Sequence, residues 1–489
     1  MVSTHRVIQR LSDFIEQLLP VFNAPGIAIG FVNRDQILHV CGYSLRDREA
    51  GEPVTPRTLF HIGSISKSFT SIVLLQLQKR GLPDINDPVV KYLPWFEIQS
   101  EYPLITLRHL MSHTARIING SDEIISAYTG TWNLRRTKAA KQPGEMFHYS
   151  NTGYKVIGVV LERLFGKGVA EILQEHILTP VGMRSTLPVF RNRDRASLAV
   201  GYALFFDESP LPAGGMLAPA AWFEYDNADG LICSNAGDIS KYLQTLLGCA
   251  DSLLSPKSFD LLIEPLVPID NGLHGEHYGL GLESQQIDGH QVIGHGGGMV
   301  GCAADLLADL DSGFGVVVLT NGPSDPMKIS RYALALLNAD FRGHDLPEPE
   351  DVDPHHIKDA ETYLGTYRCG GKSFMLTPQA NHVIQEFETG SVLLQPHPQD
   401  SFLTYLPGFD VFPLQIKRKN NHVVEAFYGS ERYLRGPDSA EQPYEIPAEW
   451  LAYRGYYRTD IPWNTGVRVV RQQDALVLFE LNGGCEPLD

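Results

Sequence analysis

The sequence of 489 residues has no long hydrophobic run, few cysteines and no excess of positive charge. No uninterrupted apolar stretch approaches the roughly 18 residues that a membrane-spanning helix needs. The six cysteines are scattered without a Cys-x-x-Cys pair, so we expect free thiols rather than a zinc ribbon or a redox motif. Because no apolar segment follows Arg6, no secretory signal is recognised, and a cytoplasmic location is expected.

The charge balance excludes further classes of partner. Lys and Arg number 40 against 57 Asp and Glu, which gives a formal net charge of −17. A surface this acidic repels phosphate backbones and anionic lipid, so we expect neither a nucleic-acid nor a membrane partner. A hydrophobic content of 43% with 20% charged residues is typical of a folded globular protein rather than a disordered chain.

Hydrophobic periodicity indicates a sheet that is built from both ends of the first part of the chain. Apolar runs at 26–32 and 36–41 flank a turn and predict a β-hairpin, and three more strands are predicted between 291 and 319. Helical patterns fill the region between them, including 236–247, and another helix is predicted at 329–341. We therefore expect an α/β fold in which a helical insert separates the strands of one sheet.

An acidic, proline-rich stretch divides the chain. Residues 342–356 have no hydrophobic period, so we interpret them as a linker between a domain at 1–341 and a β domain at 357–489. The β domain contains a weak internal repeat, Tyr363-Leu-Gly-Thr-Tyr-Arg and Tyr453-Arg-Gly-Tyr-Tyr-Arg. The second copy either starts another β unit or completes the first.

Ser64-Ile-Ser-Lys67 is the first candidate for chemistry, at the beginning of a helix predicted to end near Arg80. At positions i and i+3 the hydroxyl and the ammonium share one helix face. The helix N-terminus offers free N–H groups where an oxyanion would develop. A serine needs a neighbouring base in order to attack, and the motif taken alone also fits a serine that caps a surface helix.

Two more motifs follow in the sequence. Tyr149-Ser-Asn151 precedes a helical pattern that begins at Tyr154, and His295-Gly-Gly297 ends a predicted strand at 291–294. The ordered set of Ser-x-x-Lys, Tyr-x-Asn and His-x-Gly resembles the serine β-lactamase and penicillin-binding-protein superfamily, in particular class C β-lactamases and their peptidase and esterase relatives. The resemblance extends over roughly residues 10–341.

The resemblance implies a fold and a set of roles. The expected fold is an antiparallel sheet flanked by helices with an all-helical lobe, followed by a lipocalin-like β-barrel. Ser64 is expected to form an acyl-enzyme, Lys67 to hold the proton network and Tyr149 to act as the base toward Ser64 and later toward water. Asn151 is expected to hydrogen-bond to Lys67 and to the substrate amide. The N–H groups of Ser64 and Gly298 are expected to form the oxyanion hole, and a phenolate on Tyr149 would need the positive charge of Lys67 nearby.

His295 departs from the lysine that β-lactamases and DD-carboxypeptidases usually carry at this position. A histidine is mostly neutral at pH 7 and is a poorer anchor for a substrate carboxylate. The His-x-Gly form resembles D-aminopeptidases, and Gly296, Gly297 and Gly298 would let the strand approach the substrate closely. We therefore predict a serine hydrolase for small amide or peptide substrates, including D-amino-acid substrates. The alternatives are a carboxylesterase or transacylase, a β-lactamase with the same site, and a non-enzymatic penicillin-binding sensor or assembly protein.

No metal or cofactor is expected, and the partner is predicted to be a small molecule or a short peptide, with a homo-oligomer left open. His109 and His113 have a spacing that can hold zinc, but the sequence lacks the glutamate of His-Glu-x-x-His, so we assign them capping or core roles. His274 and His277 are interpreted as a loop pair. The Gly-x-Gly-x-x-Gly match at 296–301 precedes a strand rather than a helix, which argues against a dinucleotide site.

Overall fold

The computed structural model describes residues 4–120, 126–139, 141–205, 210, 213–248, 250, 252–269, 275–388, 390–405, 409–436, 447–458, 466–481 and 484–488. The chain divides into two compact units. The first comprises Met1–Leu19, Ala24–Ala203 and Pro219–Pro349, and the second comprises Pro20–Asn23, Leu204–Ala218 and Glu350–Asp489. The domain limits expected at residues 341 and 357 stay a prediction.

The α-helices of the described residues all belong to the first unit. They are α1 Thr4–Leu18, α2 Ser66–Lys79, α3 Leu107–Met111, α4 Ala127–Asn133, α5 Asn151–Phe165, α6 Val169–Leu173, α7 Thr179–Val181, α8 Ala236–Leu247, α9 Pro256–Ile263 and α10 Met327–Phe341. None of these helices is long and apolar enough to cross a membrane.

The strands up to residue 320 vary in length from two to 11 residues. They are β1 Gly26–Asn33, β2 Ile37–Asp47, β3 Glu52–Pro53, β4 Phe60–His61, β5 Tyr202–Leu204, β6 Leu217–Pro219, β7 Cys233–Ser234, β8 Val267–Pro268, β9 His277–Tyr278, β10 Glu283–Ile287, β11 His290–Met299, β12 Cys302–Asp309 and β13 Phe314–Thr320.

The central sheet confirms the expected α/β fold. Nine strands run in the order β3-β2-β1-β13-β12-β11-β10-β9-β8, and every neighbouring pair is antiparallel. The hairpin β1–β2 pairs with β13. Strands from the beginning and from the end of this unit therefore form one sheet, and the helical part of the chain lies between them in the sequence. Alternate residues of β12 face opposite sides: Leu306 belongs to the large core that contains residues of α8, whereas Asp305 accepts a hydrogen bond from Ser330 on α10.

One predicted strand ends later than the sequence suggests. The strand expected at 291–294 continues through the glycines to Met299, because Gly296, Gly297 and Gly298 stay paired with β12. The Gly-x-Gly-x-x-Gly match at 296–301 therefore lies in a strand and the turn after it, and opens no helix. His277 lies in β9, and His274 lies outside the described residues.

The strands after residue 320 all belong to the second unit. They are β14 Gly365–Cys369, β15 Lys372–Gln379, β16 His382–Phe387, β17 Gly390–Leu393, β18 Gln395–His397, β19 Ser401–Leu403, β20 Leu414–Lys419, β21 His422–Tyr428, β22 Glu431–Arg435, β23 Gly455–Arg458, β24 Gly466–Gln472, β25 Ala475–Glu480 and β26 Cys485–Leu488. The first nine form a nearly closed, barrel-like sheet in the order β17-β16-β15-β14-β22-β21-β20-β19-β18. The expected barrel is thereby confirmed.

The two copies of the tyrosine repeat have the same local structure in this unit. In each copy a 3-10 helix precedes a strand, and the second tyrosine hydroxyl donates to the backbone oxygen of the first, from Tyr367 to Tyr363 at 2.7 Å and from Tyr457 to Tyr453 at 2.8 Å. The second copy starts a separate sheet in the order β23-β24-β25-β26. Of the two readings that the sequence left open, the structure supports a further β unit.

The described cysteines are free thiols, as expected for a chain without paired cysteine motifs. Cys249 lies outside the described residues.

Candidate active site

Ser64 lies in a 3-10 turn, Gly63–Ile65, between β4 and the beginning of α2. The sequence predicted that the helix begins at Ser64, but its first α-helical residue is Ser66. From Thr58 to Leu75, Ser64 is the one residue that is not buried. Apolar neighbours such as Ile62 and Ile65 anchor the turn in the core, so the hydroxyl of Ser64 is held at a fixed place while it still reaches solvent.

Lys67 is fully buried one helical turn after Ser64. Its ammonium donates to Oγ of Ser64 at 2.8 Å, to Oδ1 of Asn151 at 2.8 Å and to the backbone oxygen of Asp229 at 2.9 Å. An ammonium has three donors, and each one has an acceptor here. The buried charge is thus compensated by hydrogen bonds to three separate segments of the chain.

Tyr149 and Asn151 reach the site from the beginning of α5. Ser150 caps this helix, because its Oγ accepts from the backbone N–H of Gly153 at 3.1 Å. The Tyr149 hydroxyl donates to Oγ of Ser64 at 2.6 Å, and Nζ of Lys67 lies 4.9 Å from the Tyr149 ring centroid. Burial raises the pKa of Tyr149 far above its ordinary value, and the nearby Asp229 carboxylate raises it further. The resting tyrosine is therefore a neutral phenol.

His295 is 3% exposed and uses both ring nitrogens within the protein. Nδ1 bonds to the backbone oxygen of Gly296, which can only accept, so Nδ1 carries the hydrogen; Nε2 then accepts from the Tyr278 hydroxyl at 2.8 Å. Burial lowers the pKa of His295 to about 3, and the charge of Lys67 acts in the same direction. A neutral imidazole thus lies where β-lactamases usually carry a lysine.

The glycine strand β11 packs directly against the turn that carries Ser64. A β-carbon at Gly63 would lie 2.3 Å from the oxygen and 2.7 Å from the nitrogen of Gly298. A β-carbon at Gly297 would lie 2.1 Å from the oxygen of Ile62, whereas Gly296 has no atom within 4 Å of that position. Only glycine at 63 and 297 permits this approach, which brings the main chain of Gly298 next to Gly63, the residue before Ser64.

Two carboxyls lie in the central sheet near this site, with Asp305 buried and Glu283 partly buried. Burial raises the pKa of Glu283 on β10 to about 8, and the neighbouring Asp305 and Glu276 carboxylates raise it as well. Burial also raises the pKa of Asp305 on β12 to about 6. At neutral pH this shift favours the protonated form of Glu283 in the folded state.

The structure joins Ser64, Lys67, Tyr149 and Asn151 by hydrogen bonds and packs Gly297 and Gly298 against the turn of Ser64. It also brings three residues to the site that the sequence did not place there. Asp229 supplies a backbone acceptor to Lys67, Tyr278 binds His295, and the buried His113 contacts the ring of Tyr149. A backbone acceptor and a ring contact have no signature in a single sequence.

The histidine pair that was considered for zinc has other partners. Nδ1 of His109 accepts from the N–H of Thr106 in the cap of α3, at 3.2 Å, and Nδ1 of His113 accepts from the N–H of Ser150, at 3.0 Å. Within the described parts of the chain, no group of three or more His, Cys, Asp or Glu residues is arranged to hold a metal ion.

Comparison with known proteins defines the class to which this fold and site belong. Residues 12–339 match the protein family described as Beta-lactamase. Penicillin-binding protein 4* of Bacillus subtilis (strain 168) is 24% identical over 405 residues, which covers 76% of this chain and 85% of that protein. The Unguisins hydrolase ungD' of Aspergillus campestris (strain IBT 28561) is 27% identical over 334 residues, which covers 64% of this chain and 61% of that protein.

A solved structure agrees with these sequence matches. The octameric penicillin-binding protein homologue from Pyrococcus abyssi superposes with a TM-score of 0.64 and 25% identity, covering 88% of this chain and 100% of that one. The chain thus has the beta-lactamase-like fold and is similar to penicillin-binding protein homologues. It belongs to the beta-lactamase family.

Proposed function

We propose that the protein hydrolyses small amide or short peptide substrates, including those with D-amino acids, through an acyl-enzyme on Ser64. The observation that carries this proposal is that Oγ of Ser64 lies between Nζ of Lys67 and the hydroxyl of Tyr149, at 2.8 and 2.6 Å, while the residue stays open to solvent. A nucleophile that contacts two groups able to exchange its proton is the arrangement that acyl transfer requires.

In the first half of the reaction, Oγ of Ser64 forms a bond to the substrate carbonyl carbon. Its proton passes to the pair formed by Tyr149 and Lys67, and the electrons of the carbonyl bond move to the oxygen. The N–H groups of Ser64 and Gly298 stabilise that oxyanion. When the carbonyl re-forms, the bond to the leaving amine breaks, and Tyr149 returns the proton to the amine nitrogen.

In the second half, water replaces the serine as the nucleophile. The same pair takes a proton from water, the bond to Oγ of Ser64 breaks, and the serine recovers its hydrogen. Because Tyr149 is neutral at rest and Lys67 donates three hydrogen bonds, the reactive form is the one in which this coupled pair has lost one proton. Asn151 holds Lys67 at 2.8 Å and offers its amide nitrogen to the substrate.

The glycines of β11 and the neutral His295 favour amides and peptides over β-lactams. Gly296, Gly297 and Gly298 leave the strand without side chains beside the nucleophile, so an extended substrate can lie against its backbone. His295 offers no positive charge to a substrate carboxylate, because its pKa is about 3 and both ring nitrogens have protein partners. The relative named a hydrolase supports turnover rather than binding alone.

The proposal extends to the organisation of the protein. We propose a catalytic domain at 1–341, a linker at 342–356 and a barrel-containing domain at 357–489, in a cytoplasmic protein. The octameric homologue from Pyrococcus abyssi supports assembly into a homo-oligomer.

The test is a turnover screen of purified protein with chromogenic esters, D- and L-amino-acid anilides and a cephalosporin. Wild type is compared with Ser64→Ala, and with Ser100→Ala as an exposed control. We expect hydrolysis of D-amino-acid anilides that is lost in Ser64→Ala and kept in Ser100→Ala. Full activity in Ser64→Ala contradicts the proposal. Ester turnover without anilide turnover identifies an esterase, and labelling by a fluorophosphonate or penicillin without any turnover identifies a sensor.

A further inference from the structure

His113 binds both of the residues that flank Tyr149 in the sequence. The backbone N–H of His148 donates to the backbone oxygen of His113 at 2.7 Å. The backbone N–H of Ser150 donates to ring Nδ1 of His113 at 3.0 Å. The residues on both sides of Tyr149 are therefore held by one histidine, through its main chain and through its side chain.

The ring of His113 also supports the ring of Tyr149. The two ring centroids lie 4.2 Å apart, with an angle of 34° between the ring planes. The ring centroids of Tyr278 and His113 lie 4.7 Å apart, and Tyr278 in turn binds His295. His113 is thus packed from several sides and is 1% exposed. A phenol with its backbone fixed at both neighbours and its ring in contact with a buried ring has little freedom to turn away from Ser64.

The chemistry of His113 does not suit a residue that is kept only for packing. Because Nδ1 accepts a hydrogen bond, the ring hydrogen is on Nε2, and Nε2 is buried without a partner among the described residues. The backbone φ is +56°, in the left-handed region that residues other than glycine seldom adopt. Both features cost stability, and a hydrophobic ring at this position would avoid the first.

The Nδ1 lone pair of His113 is available as an acceptor near neutral pH. Burial lowers the pKa of His113 well below its ordinary value, and the positive charge of Lys67 and the His295 and His148 rings lower it further. Near neutral pH the acceptor for the Ser150 N–H is therefore not lost to protonation.

We propose that His113 is a positioning residue that aims the Tyr149 hydroxyl at Ser64 through the Nδ1 bond to the Ser150 N–H. The inference rests on the proposed function, since it assigns His113 to the reaction of Ser64 and Tyr149. According to this proposal, the reaction requires the Nδ1 acceptor of His113 and not the volume of its ring.

Two variants separate the acceptor from the ring. In His113→Asn, Oδ1 replaces Nδ1 as the acceptor, the ring is lost, and the left-handed backbone is well tolerated. In His113→Phe, the ring is kept and the acceptor is lost. We expect His113→Phe to lower kcat about 30-fold with KM changed less than threefold, and His113→Asn to keep kcat within about threefold of wild type.

A double-mutant cycle with Tyr149→Phe is the decisive readout. If His113 acts through the phenol, His113→Phe lowers kcat in the wild-type background and adds nothing in the Tyr149→Phe background. His109→Phe is the matched control, because it removes a comparable Nδ1 bond in the cap of α3 without contact to Tyr149. It is expected to lower the Tm while kcat stays unchanged.

Equal losses in both backgrounds, or a similar loss of kcat in His113→Asn and His113→Phe, overturn the inference. Comparison of the Tm of each variant separates an unfolded protein from a misdirected phenol. Failure of the proposed function itself would be recognised independently, because Ser64→Ala would then hydrolyse the substrate as fast as wild type.

Discussion

The hydroxyl of Tyr149 lies 2.6 Å from Oγ of Ser64, although the two residues are 85 positions apart in the sequence. Burial of the phenol raises its pKa far above its ordinary value, so at neutral pH almost every molecule carries the protonated form. The reaction proposed for this pair needs the form that has lost a proton, which makes the rate dependent on pH.

We therefore expect kcat/KM to rise about tenfold per pH unit between pH 6 and 8, since the fraction of the deprotonated pair rises in that proportion below its pKa. The pKa values of His295, about 3, and of His113, well below the ordinary value, exclude these residues as the cause of a titration in this range. Initial rates in overlapping buffers measure the profile. A profile that falls on the alkaline side of pH 7 would contradict the assignment.

The neutral His295 predicts how the protein discriminates between substrates. A free carboxylate next to the scissile bond finds no positive charge from this residue, so wild type should hydrolyse an amide-capped substrate at least as well as its free-acid counterpart. In His295→Lys, kcat/KM for the free acid relative to the capped form should increase about tenfold, because a charge-assisted hydrogen bond becomes available. Paired kinetics on both substrates give the ratio. A wild-type preference for the free acid would argue against a neutral His295.

The close approach of β11 to the Ser64 turn predicts a contrast between adjacent glycines. Gly297→Ala would place its β-carbon 2.1 Å from the oxygen of Ile62, so the strand must move away from Ser64, with a loss of about 1–3 kcal/mol in stability. Acylation of Ser64 by a fluorophosphonate should slow at least tenfold. Gly296→Ala meets no atom within 4 Å and should keep the Tm within about 1 °C of wild type. Denaturant unfolding and labelling rates check both, and equal effects at the two positions would be inconsistent with this packing.

Glu283 predicts a loss of stability at alkaline pH. Its pKa is about 8 in the folded protein against an ordinary value of 4.5, so between these values the unfolded chain releases a proton that the folded chain retains. The free energy of unfolding therefore decreases as pH rises through this window. Glu283→Gln removes that dependence, and we expect it to be more stable than wild type by about 3–4 kcal/mol at pH 8, relative to their difference at pH 5.

Urea unfolding of both proteins at pH 5 and pH 8 measures the effect of Glu283→Gln. The exposed Glu361→Gln serves as the matched control for replacing a carboxyl group by an amide. If the difference for Glu283→Gln is the same at both pH values, the carboxyl is ionised in the folded state and the burial argument fails.

Much of the fold was predictable from hydrophobic periodicity. The helix predicted at 236–247 has those bounds, and the hairpin of β1 and β2 forms as its turn residues indicate. The start of α5 was predicted three residues late, because its apolar period begins at Tyr154 whereas its cap is Ser150. Local patterns therefore locate elements well, and side-chain caps shift their ends.

Elements that depend on pairing were harder to predict. Gly296, Gly297 and Gly298 carry no alternating side chains, so the sequence pattern predicts that the strand ends before them. In the structure, pairing with β12 extends the strand to Met299. The site residues came from a family resemblance rather than from local physics, because nothing near Ser64 in the sequence indicates that Tyr149 contacts it. The link between His113 and Ser150 spans 37 positions and could not be recognised without coordinates.

The three acceptors of Lys67 belong to the 3-10 turn, to the first residue of α5 and to the segment at Asp229. The ammonium of Lys67 is fully coordinated only when all three segments have folded into place. Its complete set of hydrogen bonds therefore depends on the folding of the whole unit and not on α2 alone. A chain in which these three segments have not yet come together lacks the contacts that distinguish Ser64 from an ordinary serine.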